Sequence, residues 1–228
     1  MQRYSGVSWA VKAGSQKINQ ICNWPNPMGA NLNSEKTPSV VSHKGGSLHK
    51  WGYDVDGTSS QETFYKWMKI LLEPKAIRSS DSECFEAVWA TQHLLDKEGR
   101  TAVEAVGEYL SQIWKYTLEE IGSKQGADFQ ETYKLRVVLT VPAVWSAKAK
   151  DNTLQAARRG GLPEDISMVT EPEAAALMVL KQRNEIGSLR VSGLIQLSST
   201  MKLTKLLGWR NIRGLRCRRW YSGMSKLF

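Results

Sequence analysis

The spacing of apolar and polar side chains changes character twice along the chain. In the first sixty residues, short runs of β-forming residues at 6–11 and 39–42 are separated by turns rich in Gly, Ser, Asn and Pro. This arrangement predicts strands and loops. The apolar positions then recur at intervals of three and four, which is the period of an amphipathic helix. Beyond residue 135 the pattern alternates between buried-type strands and helical segments, as in an α/β fold.

Three helical stripes follow the first loop region. The first predicts a helix over 60–73, entered through Ser59 and Glu62 at the spacing of a capping box. The second predicts a helix that stops at Gly99, and the third opens with a capping box at Thr101. We expect all three stripes to face the core. Their members are Phe64, Trp67, Met68 and Leu71; Phe85, Val88, Trp89, Gln92 and Leu95; and Val103, Val106, Leu110, Ile113 and Ile121.

The segment that begins at residue 135 predicts a parallel βαβ unit. A buried-type strand over 135–141 ends at Pro142, and a helix capped by Ser146 leads to a second strand over 166–169. Ligand-facing residues of such units lie beyond the carboxyl ends of the strands. Pro142 and Glu171 occupy those two positions.

Glu171 opens the second helix of this unit, where Thr170 and Glu173 have capping-box spacing. Its carboxylate could face a nucleotide cleft and reach a metal-bound water. Alternatively, it could be a first-turn acid that only complements the helix dipole. Local sequence leaves both interpretations open. Trp9 and Trp145 could stack on a base, but a core position is the simpler interpretation for each.

Charge divides the chain into two parts. The formal net charge is +9, yet residues 1–188 are formally neutral and residues 189–228 hold nine Lys or Arg and no Asp or Glu. We therefore predict a globular part over 1–188 and a basic tail over 189–228, disordered or non-native. The composition is globular and contains no apolar run of membrane-spanning length, which predicts a soluble cytoplasmic protein. Three widely spaced Cys predict neither a disulfide nor a zinc site.

Three motifs of the βαβ unit resemble the nucleotide-binding domain of heat-shock 70 chaperones, and most of all the divergent members common in filamentous fungi. Segments near the start resemble the end of that family's first phosphate loop, the strand after it and the following turn. The resemblance covers about residues 4–191. The motifs are Val138-Leu-Thr-Val-Pro-Ala-Val-Trp145, Ala156-Ala-Arg-Arg-Gly-Gly-Leu162 and Val169-Thr-Glu-Pro-Glu-Ala-Ala-Ala176, preceded by Tyr4-Ser-Gly-Val-Ser8, Thr37-Pro-Ser-Val-Val-Ser42 and Trp51-Gly-Tyr53.

The resemblance implies the first lobe of an actin-like ATPase, a ribonuclease H-like α/β fold with a mixed sheet and flanking helices, here incomplete. It implies ATP or ADP and magnesium as ligands. Glu171 matches the catalytic glutamate that contacts magnesium through water, Tyr4 and Ser5 match the end of the first phosphate loop, and Pro142 matches a proline of the inter-lobe switch. A complete relative would also engage co-chaperones and unfolded client proteins.

The chain also departs from that family's pattern. Only three residues precede Tyr4, so the acidic residue and threonines of the first phosphate loop are missing. The lysine expected four residues after Gly52 falls on Asp56, and the second phosphate loop is not found at 192–197. Phosphoryl transfer needs all of these elements together. We therefore expect a truncated ATP-binding domain with little or no ATPase activity.

The tail permits two interpretations. It is rich in Leu, Ser and Arg, the amino acids with most codons, which is typical of sequence translated out of frame or through an intron. Alternatively, basic residues interleaved with aromatic ones, as in the segment 209–221, could bind RNA or an anionic membrane. The chain would then be a non-catalytic scaffold. The first interpretation is favoured because a run of charges alone is weak support for binding.

Overall fold

The computed structural model describes residues 4–12, 17–26, 33–55, 57, 59–75, 82–186 and 201–202, and these form a mixed α/β structure of small sheets and helices. The strands are β1 (Tyr4–Ser5), β2 (Val7–Trp9), β3 (Asn19–Gln20), β4 (Thr37–Pro38), β5 (Val40–Lys44), β6 (Ser47–Trp51), β7 (Thr63–Lys66), β8 (Val137–Val141), β9 (Ile166–Thr170) and β10 (Met201–Lys202). The helices are α1 (Ser82–Lys97), α2 (Ala102–Gln125), α3 (Phe129–Thr132), α4 (Ala147–Arg159) and α5 (Glu171–Ile186), with short 3-10 helices at Gly52–Asp54 and Ile70–Leu72.

The described strands form three sheets. The largest has the order β3-β2-β10-β8-β9, the second has the order β6-β5-β7, and β1 pairs with β4. Strand β8 is buried along its whole length, whereas all five residues of β9, at the edge, are half-buried. This mixed arrangement is compatible with the actin-like ATPase lobe expected from the sequence.

The predicted βαβ unit is confirmed. Strands β8 and β9 run parallel with Val141 opposite Thr170. The Ser146 hydroxyl accepts a hydrogen bond from the Ala149 backbone N–H at 3.2 Å, which caps α4. The backbone N–H and hydroxyl of Thr170 both donate to the Glu173 carboxylate at 2.8 Å, and these bonds hold the pKa of Glu173 below its usual range.

Helix α2 is the centre of the core. It begins with the predicted capping box, in which the Thr101 hydroxyl accepts from the Glu104 backbone N–H and the Glu104 carboxylate accepts from Thr101. Helix α4 crosses it closely, because Gly107 and Gly160 carry no side chains at the contact. A Cβ on Gly160 would lie 2.7 Å from the Gly107 carbonyl oxygen. The residues that α2 buries are Ala105, Val106, Gly107, Tyr109, Leu110, Ile113, Trp114, Thr117 and Ile121.

The helix predicted over 60–73 is wrong. That segment forms β7, which pairs antiparallel with β5, and then a 3-10 helix at Ile70–Leu72. Trp67 lies between them with a φ of 61°, a left-handed conformation that ends the strand and excludes a continuous helix. The fully buried residue of β7 is Tyr65, which the helical stripe omitted. A strand followed by one tight turn reproduced the apolar spacing of a helix.

The predicted capping box that would open this helix is also wrong. The Ser59 hydroxyl accepts a hydrogen bond from the Gln61 backbone N–H at 3.3 Å, which is a local turn. The Glu62 carboxylate lies 3.7 Å from His49 Nε2 and from Lys50 Nζ on β6. Glu62, just before β7, therefore contacts β6 instead of starting a helix.

The other two stripes are confirmed as helices, and the burial of Phe85 lies outside what the structure describes. Val88 and Leu95 of α1 are buried, but Trp89 is 55% exposed and its indole stacks on the His93 ring at 5.5 Å. Trp9 is a core residue and Trp145 packs partly buried against the core, as the simpler interpretation predicted.

Of the predicted tail, the structure describes only β10, which lies between β2 and β8. The other residues assigned to the tail lie outside the described residues. Cys22 is a free thiol. Within the described part of the chain, no helix combines the length and the apolar character that crossing a membrane requires.

Replacing glycine by alanine should have opposite effects on stability at Gly160, which lies in the contact between α2 and α4, and at Gly122, which lies outside it. Gly160→Ala should destabilise the fold by about 1–3 kcal/mol, because the added methyl group overpacks a backbone contact. Gly122→Ala should stabilise it by up to about 1 kcal/mol, because Cβ there meets only Phe129 at an ordinary 3.5 Å and alanine favours a helix. Urea denaturation measures both. Equal effects of the two substitutions would contradict the close contact at Gly160.

Candidate functional site

Strand β1 carries the first two predicted site residues. It pairs antiparallel with β4, so that Tyr4 lies opposite Pro38 and Ser5 opposite Thr37. The turn after β6 then packs on β4. Gly52 has a φ of 60°, and a Cβ there would lie 2.6 Å from the Thr37 hydroxyl oxygen, so only glycine fits. The three N-terminal segments that resemble the heat-shock 70 family, 4–8, 37–42 and 51–53, are therefore in contact with one another.

Lys69 brings a positive charge against β1. It follows β7, in the turn that leads into the 3-10 helix at Ile70–Leu72, and is only 4% exposed. Its Nζ donates hydrogen bonds to the Ser5 hydroxyl oxygen at 2.9 Å and to the Tyr4 carbonyl oxygen at 3.2 Å. Burial lowers the pKa of Lys69 to about 7, although the Glu171 carboxylate partly offsets this effect.

The position of Lys69 is fixed by contacts of its own segment with α4. The Asn152 side-chain amide donates to the Leu72 carbonyl oxygen at 2.8 Å. The Ser146 backbone N–H donates to the Glu73 carboxylate at 2.8 Å, and this bond keeps the pKa of Glu73 below its ordinary value. The first turns of α4 therefore hold the turn that presents the lysine.

A second layer of polar groups supports β1 from behind. The Ser5 and Ser39 hydroxyl oxygens are 2.8 Å apart, and the Tyr109 hydroxyl of α2 donates to the Pro38 carbonyl oxygen at 3.1 Å. A serine beside a lysine of lowered pKa also occurs where serine is a nucleophile. Ser5 is fully buried here, however, so a substrate has no access to its hydroxyl. The pair holds β1 in place.

Pro142 and Glu171 lie at the carboxyl ends of β8 and β9, the positions predicted for them. Because Val141 and Thr170 are in register, the two residues leave the sheet at the same level. Glu171 is half-buried at the first turn of α5, close enough for its charge to act on Lys69. The structure thus brings Tyr4, Ser5 and Glu171 around Lys69, and it places Pro142 next to Glu171.

Lys69 is the residue that sequence reasoning missed. The lysine was expected at position 56, which is Asp56 and lies outside the described residues. The available signal was a single cation inside an otherwise apolar run, at 67–72. Such a lysine lies at a surface or is buried with partners, and a buried lysine of perturbed pKa is a candidate for a functional site.

The groups near Lys69 include one carboxylate, that of Glu171, of the kind that binds magnesium together with phosphate oxygens. Among the residues that the structure describes, no group of three or more His, Cys, Asp or Glu side chains could hold a metal ion by itself. Magnesium is usually bound by one or two carboxylates together with phosphate oxygens and water. Glu171 can supply such a carboxylate, and the ammonium of Lys69 lies enclosed behind Tyr4 and Ser5, where its charge can act through space on a phosphate bound along β1.

Comparison with known proteins indicates a distant relation to the heat-shock 70 class. No family model matches the chain. The chain is 24% identical over 209 residues to Heat shock 70 kDa protein 12A of mouse, and equally to that of human. Each alignment covers 86% of this chain and 28% of the relative, so the chain spans little more than a quarter of the length of these curated relatives. The fungal type and the truncation expected from the sequence remain predictions.

The buried lysine predicts a specific dependence of stability on pH. The folded pKa of about 7 lies below the unfolded value of 10.5, so above pH 7 the unfolded chain binds a proton that the folded chain has released. The free energy of unfolding should therefore rise between pH 7 and pH 9, by at most about 1.4 kcal/mol per pH unit. Lys69→Met should abolish this rise.

Urea denaturation at pH 7, 8 and 9 tests this dependence. Lys66→Met is the matched control, since Lys66 lies three residues away on β7 and is exposed. The control should keep the rise of the unmodified chain. A rise of the same size in Lys69→Met would show that the lysine is not the group that titrates.

Proposed function

We propose that the lobe binds the magnesium complex of ATP or ADP between β1, Lys69 and Glu171. One observation carries the proposal: a fully enclosed ammonium group is held by the Tyr4 carbonyl and the Ser5 hydroxyl and lies within range of the Glu171 carboxylate. The distant similarity to Heat shock 70 kDa protein 12A supports a nucleotide-binding, chaperone-like domain.

Each residue has a distinct part in this proposal. The backbone of Tyr4 and Ser5 lies along the phosphates, and Lys69, enclosed behind these two residues, offsets phosphate charge through space. Glu171 orients a water of the magnesium ion, whose role when bound is to screen the phosphate oxygens from one another. Pro142, beside Glu171, transmits the state of the site to the neighbouring segment as the inter-lobe switch.

We further propose that bound ATP is hydrolysed slowly or not at all. Phosphoryl transfer depends on a lysine, metal carboxylates and two phosphate loops in one fixed geometry. The described site contributes one lysine and one carboxylate, and the sequence at 192–197 does not resemble a second phosphate loop. The lobe, residues 1–188, would then act in the cytoplasm as a nucleotide-sensing module, and a complete chain would add co-chaperones and unfolded clients as partners.

The alternative function is a non-catalytic scaffold whose basic tail binds RNA or an anionic membrane. It concerns residues 189–228, and of these only β10 is described. No observation on the described residues favours it. Salt-sensitive binding of RNA or anionic vesicles, unaffected by nucleotide, would support it in place of nucleotide binding.

Nucleotide binding should be linked to proton uptake through Lys69. A phosphate bound along β1 stabilises the charged form of the ammonium behind it, which raises the pKa of Lys69 from about 7 in the free protein. Above pH 7 the protein should therefore take up a proton on binding, and affinity should fall as pH rises, by at most about tenfold per unit. Calorimetry at pH 8 in buffers of different ionisation enthalpy measures this uptake.

In the same titrations, Lys69→Met should lose proton uptake and weaken ATP binding by about tenfold or more, because the positive charge behind β1 no longer attracts the phosphates through space. Lys66→Met should retain both. Binding by Lys69→Met with unchanged affinity would place the phosphates elsewhere.

The carboxylate side of the site gives a separate prediction. Glu171→Gln should reduce the enhancement of ADP binding by magnesium about tenfold or more, because the amide is a weaker partner for a metal-bound water. Glu173→Gln is the control, since Glu173 lies in the same first turn of α5 and is engaged with Thr170. Calorimetry with and without magnesium measures the enhancement. Magnesium-dependent ATP turnover that Glu171→Ala abolishes would contradict the proposed lack of hydrolysis.

A further inference from the structure

The two-stranded ribbon formed by β1 and β4 has two faces that differ in exposure. Ser5 and Thr37, which lie opposite each other, are fully buried. Tyr4, one position away on β1, is 46% exposed, and Pro38 opposite it is half-buried. Successive side chains of a strand point to opposite faces. The ribbon therefore has an inner face, with Ser5 and Thr37, and an outer face, with Tyr4 and Pro38.

Lys36 lies on the outer face of this ribbon. It directly precedes Thr37, so the alternation that buries Thr37 directs Lys36 to the same face as Pro38. The antiparallel register, continued by one step, places Lys36 opposite Gly6. In agreement with this position, Lys36 is half-buried whereas Thr37 is fully buried.

The backbone of Lys36 is fixed by the turn after β6. The Tyr53 hydroxyl donates a hydrogen bond to the Lys36 carbonyl oxygen at 3.0 Å, and the Ser34 hydroxyl donates to the same oxygen at 2.7 Å. Both contacts use the backbone of Lys36 and not its ammonium group. The lysine is therefore held in place by contacts that a change of its side chain preserves.

Two lysines thus lie on either side of β1. Lys69 is enclosed against the inner face, where it donates to the Ser5 hydroxyl and the Tyr4 carbonyl oxygen. Lys36 is close enough for its charge to lower the pKa of Lys69. Two neighbouring positive charges repel each other, and an anion near both relieves this repulsion. Because Lys69 is enclosed, an anion that approaches from solvent meets Lys36 first.

We propose that the nucleotide phosphates bind on the outer face of this ribbon and that Lys36 is the residue whose ammonium group contacts them directly. This inference rests on the proposed nucleotide binding, and adds to it the face and the direct contact. Lys36 forms charge-assisted hydrogen bonds with phosphate oxygens. Lys69 acts on the same oxygens through space, from behind the ribbon.

Calorimetric titration of the full chain with magnesium ATP tests the contact. Lys36→Met should weaken ATP binding about tenfold or more, the value of a hydrogen bond to a charged group. Lys36→Arg keeps the charge and should remain within about threefold of the unmodified chain. Lys36→Gln should show the same loss as Lys36→Met, and replaces it if that variant does not fold.

Lys44→Met is the matched control. Lys44 is exposed at the end of β5, and its replacement changes the net charge of the chain by the same amount as Lys36→Met does. ATP affinity should be unchanged in this variant. A loss equal to that of Lys36→Met would show a general effect of net charge and overturn the direct contact.

The salt dependence of binding distinguishes the two lysines. An exposed charge is screened by salt, and an enclosed charge is screened much less. The loss of affinity caused by Lys36→Met should therefore shrink as sodium chloride is added, whereas the loss caused by Lys69→Met should persist. Equal salt dependence of the two losses would overturn the assignment of Lys36 to the outer, phosphate-binding face.

The same titrations separate failure of this inference from failure of the proposed nucleotide binding. Weaker binding by Lys36→Met, restored by Lys36→Arg, supports the contact. If the unmodified chain binds ATP and Lys36→Met binds it as tightly as Lys44→Met, the contact is overturned while nucleotide binding stands. If the unmodified chain does not bind ATP, both are overturned.

Discussion

The burial of one ammonium group, that of Lys69, governs how the described site is assembled. A charge removed from water is unfavourable unless its surroundings supply hydrogen bonds and an opposite charge. Here the Tyr4 carbonyl, the Ser5 hydroxyl and the field of Glu171 supply them. These groups come from the first strand of the chain and from a helix more than 160 residues later. The lysine can be buried only when both ends of the lobe are in place.

The packing of the helices makes that assembly possible. Gly107 and Gly160 allow α4 to approach α2 at backbone distance, and α4 in turn anchors the turn that carries Lys69 through Asn152 and Ser146. A contact between two helices thus determines the position of a charged side chain outside both of them. The two glycines contribute to the site only because they have no side chains, which lets the helices approach closely.

The sequence predicted the elements whose signals are local. The strands and helices of the βαβ unit, and the caps at Thr101, Ser146 and Thr170, follow from residue types within a few positions of each other. The segment 60–73 was mispredicted because a strand and a tight turn share the apolar spacing of a helix. Nothing local signals the left-handed backbone at Trp67 that separates the two.

The residues of the candidate site also divide into those with a local sequence signal and those without one. Tyr4, Ser5, Pro142 and Glu171 were named through a family resemblance, and the βαβ geometry independently indicated the last two. Lys69 could not be found in this way, because its partners are 64 or more residues distant and its neighbours in sequence are apolar. The pairing of β2 and β8 with a strand from the tail is likewise a long-range property, which no local pattern encodes.

The two sides of the site differ in how firmly they are built into the protein. The Tyr109 hydroxyl ties β4, and through it β1, to the most buried helix of the lobe, so this side can open only when the core itself unfolds. Glu171 instead follows β9, an edge strand that is half-buried at every position. Local opening at that edge requires less free energy than global unfolding. As the protein fluctuates, the carboxylate side of the site loosens first, while the lysine side stays closed for as long as the fold persists.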